Sequence, residues 1–446
     1  MKKQVLSALA FCSALGIAQA QTDVTKEYLV NPSFETLKAA DGTTDVAVKT
    51  KLENGLYGWE ISKLLDNQFS NYQVESEASG SSTGIPANGI IKPSQGEFYY
   101  FNRQGWGNVD GSELKTSTSK NLPIGTYYAV IDYKAADFSN NNDASKSGTT
   151  IGIKAENATN ELLGENTAVR RAYSTLTSNS DPYMVNAAWN ELGTMFTVTE
   201  PTTVTISLVQ NMKNSGRSDI AWDNLRLYKI EDVSENAPMD VSGLITTSNY
   251  YAFGGWNIEG GNTFQVNTWS TEGENDGSGM TTPFIEDHVG KENKAANATI
   301  SHTVSHLIPG IYEVSGLIRV LNEAGGDTPS GATLYANEGS TNACNGEPCT
   351  NGVYGTYIVK GTVGTDGVLT FGIKVANANF NWVSFKNFKL QYLGAASIEQ
   401  LQATLQEKIE EAKAYAENCP KGIAAIVNAA ITQGDNAQPT EESLNA

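Results

Sequence analysis

The segment Asn102-Arg103-Gln104-Gly105-Trp106-Gly107-Asn108 places an indole between two glycines, with a guanidinium and side-chain amides on either side. Sugar binding asks for that combination: a flat apolar ring for the sugar face and nearby donors and acceptors for hydroxyls. Trp106 is the candidate platform, with Arg103, Gln104, Asn108 and Tyr100 as ligand-binding neighbours, and Tyr99, Trp269 and Tyr251 as weaker candidates. The same residues are equally compatible with Trp106 as a packed anchor of its loop. Trp59, Trp222, Trp256 and Trp382 recur in or beside apolar runs and are expected in the core, as is Trp189 ahead of Met195-Phe196-Thr197-Val198.

Catalytic chemistry has less support. The chain has 3 histidines, His288, His302 and His306, and their surroundings read as strand and turn, so they are expected at the surface. There is no Gly-x-Ser-x-Gly, no phosphate loop and no His-Glu-x-x-His. A carboxylate pair for glycoside hydrolysis depends on spatial separation and stays open. The expectation is a protein that is not an enzyme. Cys344 and Cys349 flank a Gly/Pro turn sequence and suit a small disulfide loop; half a zinc site is the rival, but no second Cys/His pair stands at ligand spacing. Cys419 is left over as a free thiol.

The 446 residues carry 30 Lys+Arg against 49 Asp+Glu, a formal charge of −19. That excess argues against nucleic acid and against docking on anionic lipid. Met1-Lys2-Lys3, an apolar run from Val5 to Ala18, and Ala18-Gln19-Ala20 form a secretory signal peptide over residues 1–20, which implies a secreted protein at the periplasm, cell surface or beyond. No other stretch is apolar enough to insert in a membrane.

Stepping outward to the elements, residues 22–394 consist of short runs rich in β-branched and aromatic residues broken by Gly, Asn, Asp and Pro. They contain one long repeat. Leu122-Pro123-Ile124-Gly125-Thr126-Tyr127 aligns with Leu307-Ile308-Pro309-Gly310-Ile311-Tyr312, and Trp222-Asp223-Asn224-Leu225-Arg226-Leu227 aligns with Phe385-Lys386-Asn387-Phe388-Lys389-Leu390. Gly58-Trp59 has its counterpart in Gly255-Trp256. So long a period means two copies of a whole domain. The predicted class is mainly β: β-sandwiches over 22–232 and 239–394, with a polar linker at Asp232–Pro238. Glu75–Asn88 and Ala135–Thr149 read as exposed loops. From 395 the pattern is helical, with a Ser397/Gln400 capping box and an apolar stripe Ile398, Leu401, Leu405, Ile409. A second helix follows Cys419-Pro420. A third begins at Pro439, so residues 395–446 read as a partial α-helical bundle, a possible contact for protein partners, in a chain cut from a longer one.

Asn31-Pro32-Ser33-Phe34-Glu35, Gly58-Trp59 and Trp222-Asp223-Asn224-Leu225-Arg226-Leu227-Tyr228, in that order, resemble the galactose-binding-like jelly-roll family, which includes many carbohydrate-binding modules. Asn267-Thr268-Trp269-Ser270 and Thr282-Pro283-Phe284-Ile285-Glu286 are similar to repeated domains of secreted glycan-processing Gram-negative proteins, and the helical tail to bundles that follow them. The resemblance implies tandem jelly rolls that bind a polysaccharide or glycoconjugate, as an accessory part of a glycan-processing protein; a spacer or adhesin without a sugar site is the alternative. It also implies one structural calcium ion in the first domain, on Glu35 and Asp223. Both could instead accept backbone hydrogen bonds. In the second domain Lys386 replaces the aspartate, which excludes the cation there.

Overall fold

The computed structural model describes residues 21–52, 54–63, 71–77, 92–104, 112–137, 149–170, 189–211, 218–245, 256–261, 264–267, 284–326, 328–337, 339–342, 352 and 354–436. The signal peptide, Trp106, Asn108, Tyr251, Trp269, Cys344, Cys349, the start of the third helix and most of the two expected loops lie outside them.

Two jelly-roll β-sandwiches stand in tandem. Among the described residues the first has eleven strands: β1 (Gln21–Asp23), β2 (Glu60–Lys63), β3 (Asn71–Ser76), β4 (Phe98–Gln104), β5 (Ser112–Ser117), β6 (Gly125–Asp137), β7 (Thr149–Asn157), β8 (Leu162–Arg170), β9 (Asn190–Val198), β10 (Val204–Asn211) and β11 (Ser218–Ile230). Its front sheet runs β3-β4-β11-β6-β9 with β1 beside β11, and its back sheet runs β2-β5-β10-β7-β8. The second sandwich repeats this order with β12 (Met239–Asp240), β13 (Trp256–Gly260), β14 (Phe264–Asn267), β15 (Phe284–His288), β16 (Ala298–Val304), β17 (Gly310–Leu321), β18 (Ala332–Ala336), β19 (Gly339–Asn342), β20 (Gly355–Val363), β21 (Leu369–Val375) and β22 (Trp382–Tyr392). Its sheets are β14-β15-β22-β17-β20, with β12 beside β22, and β13-β16-β21-β18-β19. Each strand has its counterpart eleven places later.

The repeat extends to an irregularity. In both long last strands the pairing slips by a residue, between Asp223 and Arg226 opposite β6, and at the matching place in β22 opposite β17. Asn224 and Asn387, each at φ 55°, occupy the bulge. Asparagine tolerates the left-handed region better than most residues, so the shared Asn is a local cause of the shared bulge. Inside each sandwich, alternating apolar residues of the two sheets meet: Trp59, Tyr100, Trp222 and Phe196 in the first, Trp256, Phe371 and Phe385 in the second.

No sheet crosses from one sandwich to the other, yet one apolar cluster does. Tyr128, Val130 and Met195 point out of the first domain's front sheet and are buried against Met239, Val241, Leu244 and Ile245 at the start of the second. A 3-10 turn, Ser242–Leu244, wedges between them. A Cβ on Gly243 would lie 2.5 Å from the Tyr128 hydroxyl, so this approach admits only glycine. Asn166 Nδ2 donates to the Gly193 and Leu244 carbonyls, tying both bodies. In register, Tyr128, Val130 and Met195 correspond to Glu313, Ser315 and Lys360, polar residues that need no cover. The expected polar linker is accordingly structured: Ser234 bridges to Ala237, and Glu235 pairs with Lys360.

After the one-turn α1 (Thr25–Tyr28) that follows β1, the remaining α-helices among the described residues are those of the tail, α2 (Ile398–Asn418) and α3 (Lys421–Asp435), with the Ser397/Gln400 capping box in place. Leu401, Ile409 and Ile431 are buried, and Gly434 meets Ile409 and Leu405. Cys419 is a free, half-buried thiol at the corner. No helix among the described residues is long and apolar enough to cross a membrane.

Candidate functional site on the front sheets

The side chains with binding chemistry converge on the outer faces of the two front sheets. Counting two residues from the shared bulge places Lys134 opposite Ala221 and Arg319 opposite Ser384, at equivalent points of β6 and β17. The residues that precede β9 and β20, Trp189 and Tyr354, fall beside them. Lys134 Nζ sits 5.4 Å from the Trp189 ring centroid, and the Arg319 guanidinium 5.5 Å from that of Tyr354. A second aromatic meets each ring edge-on: Tyr99 with Trp189 at 6.2 Å, Phe284 with Tyr354 at 6.5 Å. Cation, ring and crossing ring are thus duplicated with every residue type changed.

The flanks are duplicated too. Gln73 and Gln265 occupy matching places, and each gives its amide to a buried carboxylate. In the first domain this is Glu75, which also accepts from the Tyr99 hydroxyl at 2.7 Å. In the second it is Glu286, which accepts from Gln265, from Asn267 at 3.0 Å and from the Trp382 indole at 3.0 Å. Glu75 therefore belongs to the fold and not to an exposed loop. Burial beside Glu75 pushes the Tyr99 phenol far above its usual range, so it stays a donor.

The two faces differ in what remains unfilled. In the second domain, Trp382 is flanked by His288 from β15, stacked at 4.2 Å, and by Arg319 from β17 at 4.7 Å. Arg319 Nε donates to the Gly352 carbonyl at 2.9 Å, and Tyr354 shares a 2.7 Å bond with Ser384. That face is closed on itself. In the first domain, Trp189 is half-buried, and its Nε1 donates to the Lys92 carbonyl at 3.0 Å, which fixes the ring. Lys134 is only 4% exposed, and no acceptor meets its ammonium among the described residues. Burial lowers its pKa from 10.5 to about 8.

Below Lys134 a row of carboxylates is already engaged. Asp132 receives Arg226 at 2.6 Å, Asn224 Nδ2 at 2.9 Å and the Ser94 hydroxyl. Glu191 takes the same guanidinium at 2.8 Å. Asp223, fully buried, accepts from the backbone N–H of Gln95 at 2.9 Å and of Asn224 at 2.7 Å. Burial pushes its carboxyl up to about 8, against those donors. Glu35 accepts from the N–H groups of Glu97 and Phe98 with both oxygens. Gly96, at φ 67°, lets the segment press onto Glu35, where a Cβ would stand 2.3 Å from an oxygen. Glu35 and Asp223 thus hold residues 95–98 through accepted backbone hydrogen bonds. No group of three or more His, Cys, Asp or Glu is placed for a metal among the described residues.

Several sequence expectations need correction. Tyr100 is not a ligand contact: it is 1% exposed and packs on Phe34 inside the sandwich, with its phenol pushed well above its usual range by burial. Tyr99 is buried as well. Arg103 and Gln104 contribute their backbones to the end of β4, and their side chains lie outside the described set with Trp106 and Asn108. Trp189, expected in the core, is the half-open ring of the site, whereas Trp59, Trp222, Trp256 and Trp382 are buried. His302 is not at the surface: it packs on Trp256 and Phe371. A shallow depression of about 230 Å³ on the back sheet, lined by Thr150, Lys154, Glu165 and Thr167, offers no aromatic ring for stacking.

No protein-family profile and no curated protein matches the chain. Among solved structures, the N-terminal CBM22-1–CBM22-2 tandem domain of Paenibacillus barcinonensis Xyn10C aligns over 84% of this chain and 99% of its own, at 9% identity and TM-score 0.24. TmCBM61, solved in complex with β-1,4-galactotriose, aligns over 45% of this chain and 97% of its own, at 14% identity and TM-score 0.26. A Stig cyclase from Fischerella sp. TAU covers 45% of this chain and 95% of its own, at 12% identity and TM-score 0.29.

Proposed function

We propose that this chain is a secreted, non-catalytic glycan-binding protein whose binding surface is the outer face of the first domain's front sheet. The observation that carries the reading is Trp189: a half-open indole held by the Lys92 carbonyl and Tyr99, above an ammonium with no acceptor among the described residues. The second domain, its equivalent face filled by its own side chains, acts as a rigid mount. Stacking about 100 Å² of sugar on Trp189 contributes roughly 2.5 kcal/mol at about 25 cal/mol per Å². One charge-assisted hydrogen bond adds about 1.5 kcal/mol. Their sum reaches the roughly 4 kcal/mol of a millimolar site, so retention on a polymer would draw on several contacts along one chain. Affinity electrophoresis through a panel of polysaccharides tests this. Retardation by at least one polymer, lost in Trp189→Ala, is expected; equal mobility in every gel would overturn the reading and leave a spacer.

A further inference from the structure

The two front faces serve as controls for one another. At the same register position each carries a buried cation beneath an aromatic ring, but among the described residues only one of them meets an acceptor. Arg319 has the Gly352 carbonyl as acceptor. Lys134, 96% removed from solvent by its 4% exposure, has neither carboxylate nor carbonyl among the described residues. Three carboxylates described on this face are committed elsewhere: Glu75 to Gln73 and Tyr99, Asp132 and Glu191 to Arg226. A buried charge without a partner is costly and is ordinarily paired or removed. Ala221, the neighbour of Lys134 on β11, carries only a methyl group and adds no polar atom.

We infer that Lys134 reads charge: its ammonium takes the carboxylate of an acidic sugar, a uronic acid residue, whose ring lies against Trp189. The inference rests on the glycan-binding reading and narrows its ligand class. One carboxylate at one buried lysine is compatible with an acidic protein, since the pair forms at contact range and not through the long-range field. The reduced form of the same sugar offers the ammonium a hydroxyl in place of the carboxylate, an acceptor without the charge and correspondingly weaker.

The test uses the full mature chain. Oligogalacturonides and glucuronoxylan oligosaccharides are titrated by calorimetry beside the same oligosaccharides with carboxyls reduced to alcohols. Wild type is expected to bind at least one acidic form about tenfold or more tightly than its reduced form. Lys134→Met, checked for folding by its circular dichroism, is expected to lose that preference while still binding the reduced form; Lys134→Arg keeps it. Equal affinity of wild type for acidic and reduced forms, with binding abolished by Trp189→Ala, would overturn the charge reading and leave glycan binding standing. Binding of none of these sugars, nor of any neutral polysaccharide, would overturn both.

Discussion

Replacing Lys134 by methionine should stabilise the protein. The ammonium is desolvated with no acceptor among the described residues, and its pKa falls from 10.5 to about 8. At 1.36 kcal/mol per unit, that shift sets a ceiling of about 3.4 kcal/mol on the cost of keeping it charged in the fold. Screening and local relaxation, with the Trp189 ring 5.4 Å away, reduce the expected gain to about 1–2 kcal/mol for an apolar side chain of similar volume. The pH dependence separates this cause from simple repacking. For a base whose pKa is lower folded than unfolded, the unfolded chain binds more protons between the two values. The penalty is present in full below about pH 8 and disappears as pH rises from about 8 to 10.5. Wild type should therefore gain on Lys134→Met across that window, and the two urea midpoints should converge. The assay is paired urea denaturation at pH 7 and pH 10. A variant less stable than wild type at pH 7, or a difference unchanged at pH 10, would refute the claim that Lys134 is an unpaired buried charge.

Other expectations follow from the same geometry. Gly243→Val drives a branched side chain into Tyr128 at the junction, and should cost about 1–3 kcal/mol and loosen the two sandwiches, seen as a lower melting temperature and a larger radius of gyration in solution scattering. An unchanged profile would mean the junction is not packed as described. Trp382→Phe removes a donor from buried Glu286 and should destabilise the second domain by about 1–3 kcal/mol without altering polysaccharide retention, as read by urea melts and affinity gels. Calcium added after chelation should leave the melting temperature unchanged, because Glu35 and Asp223 already face N–H donors; a rise of several degrees would show a cation shell there.

The fold was legible because its signals are local and repeated: period-two apolar runs, Pro/Gly turns ahead of β6 and β17, and the Asn224/Asn387 bulge carried inside an alignable strand. The capping box gave the start of α2 for the same reason. The site was hidden because it depends on register across strands. Lys134 and Arg319 align only once the bulge is counted, and Trp189 joins Lys134 only through the pairing of β9 with β6. A signal did exist: Thr197-Val198 and Thr362-Val363 end matching strands, and counting back from them pairs Trp189 with Tyr354. Burial patterns misled in both directions. Tyr100 stands just before the polar run Asn102-Arg103-Gln104 but points inward, and His302 finds an aromatic niche that its threonine and serine neighbours do not announce.

The most direct measurement is fluorine NMR of the mature protein labelled with 5-fluorotryptophan, each resonance assigned by single Trp→Phe replacement, during titration with a polysaccharide that retards it. The Trp189 resonance is expected to shift with ligand while those of Trp59, Trp222, Trp256 and Trp382 stay in place. Movement of the Trp106 resonance with Trp189 unmoved would place the sugar on the 102–108 segment and contradict the front-sheet site.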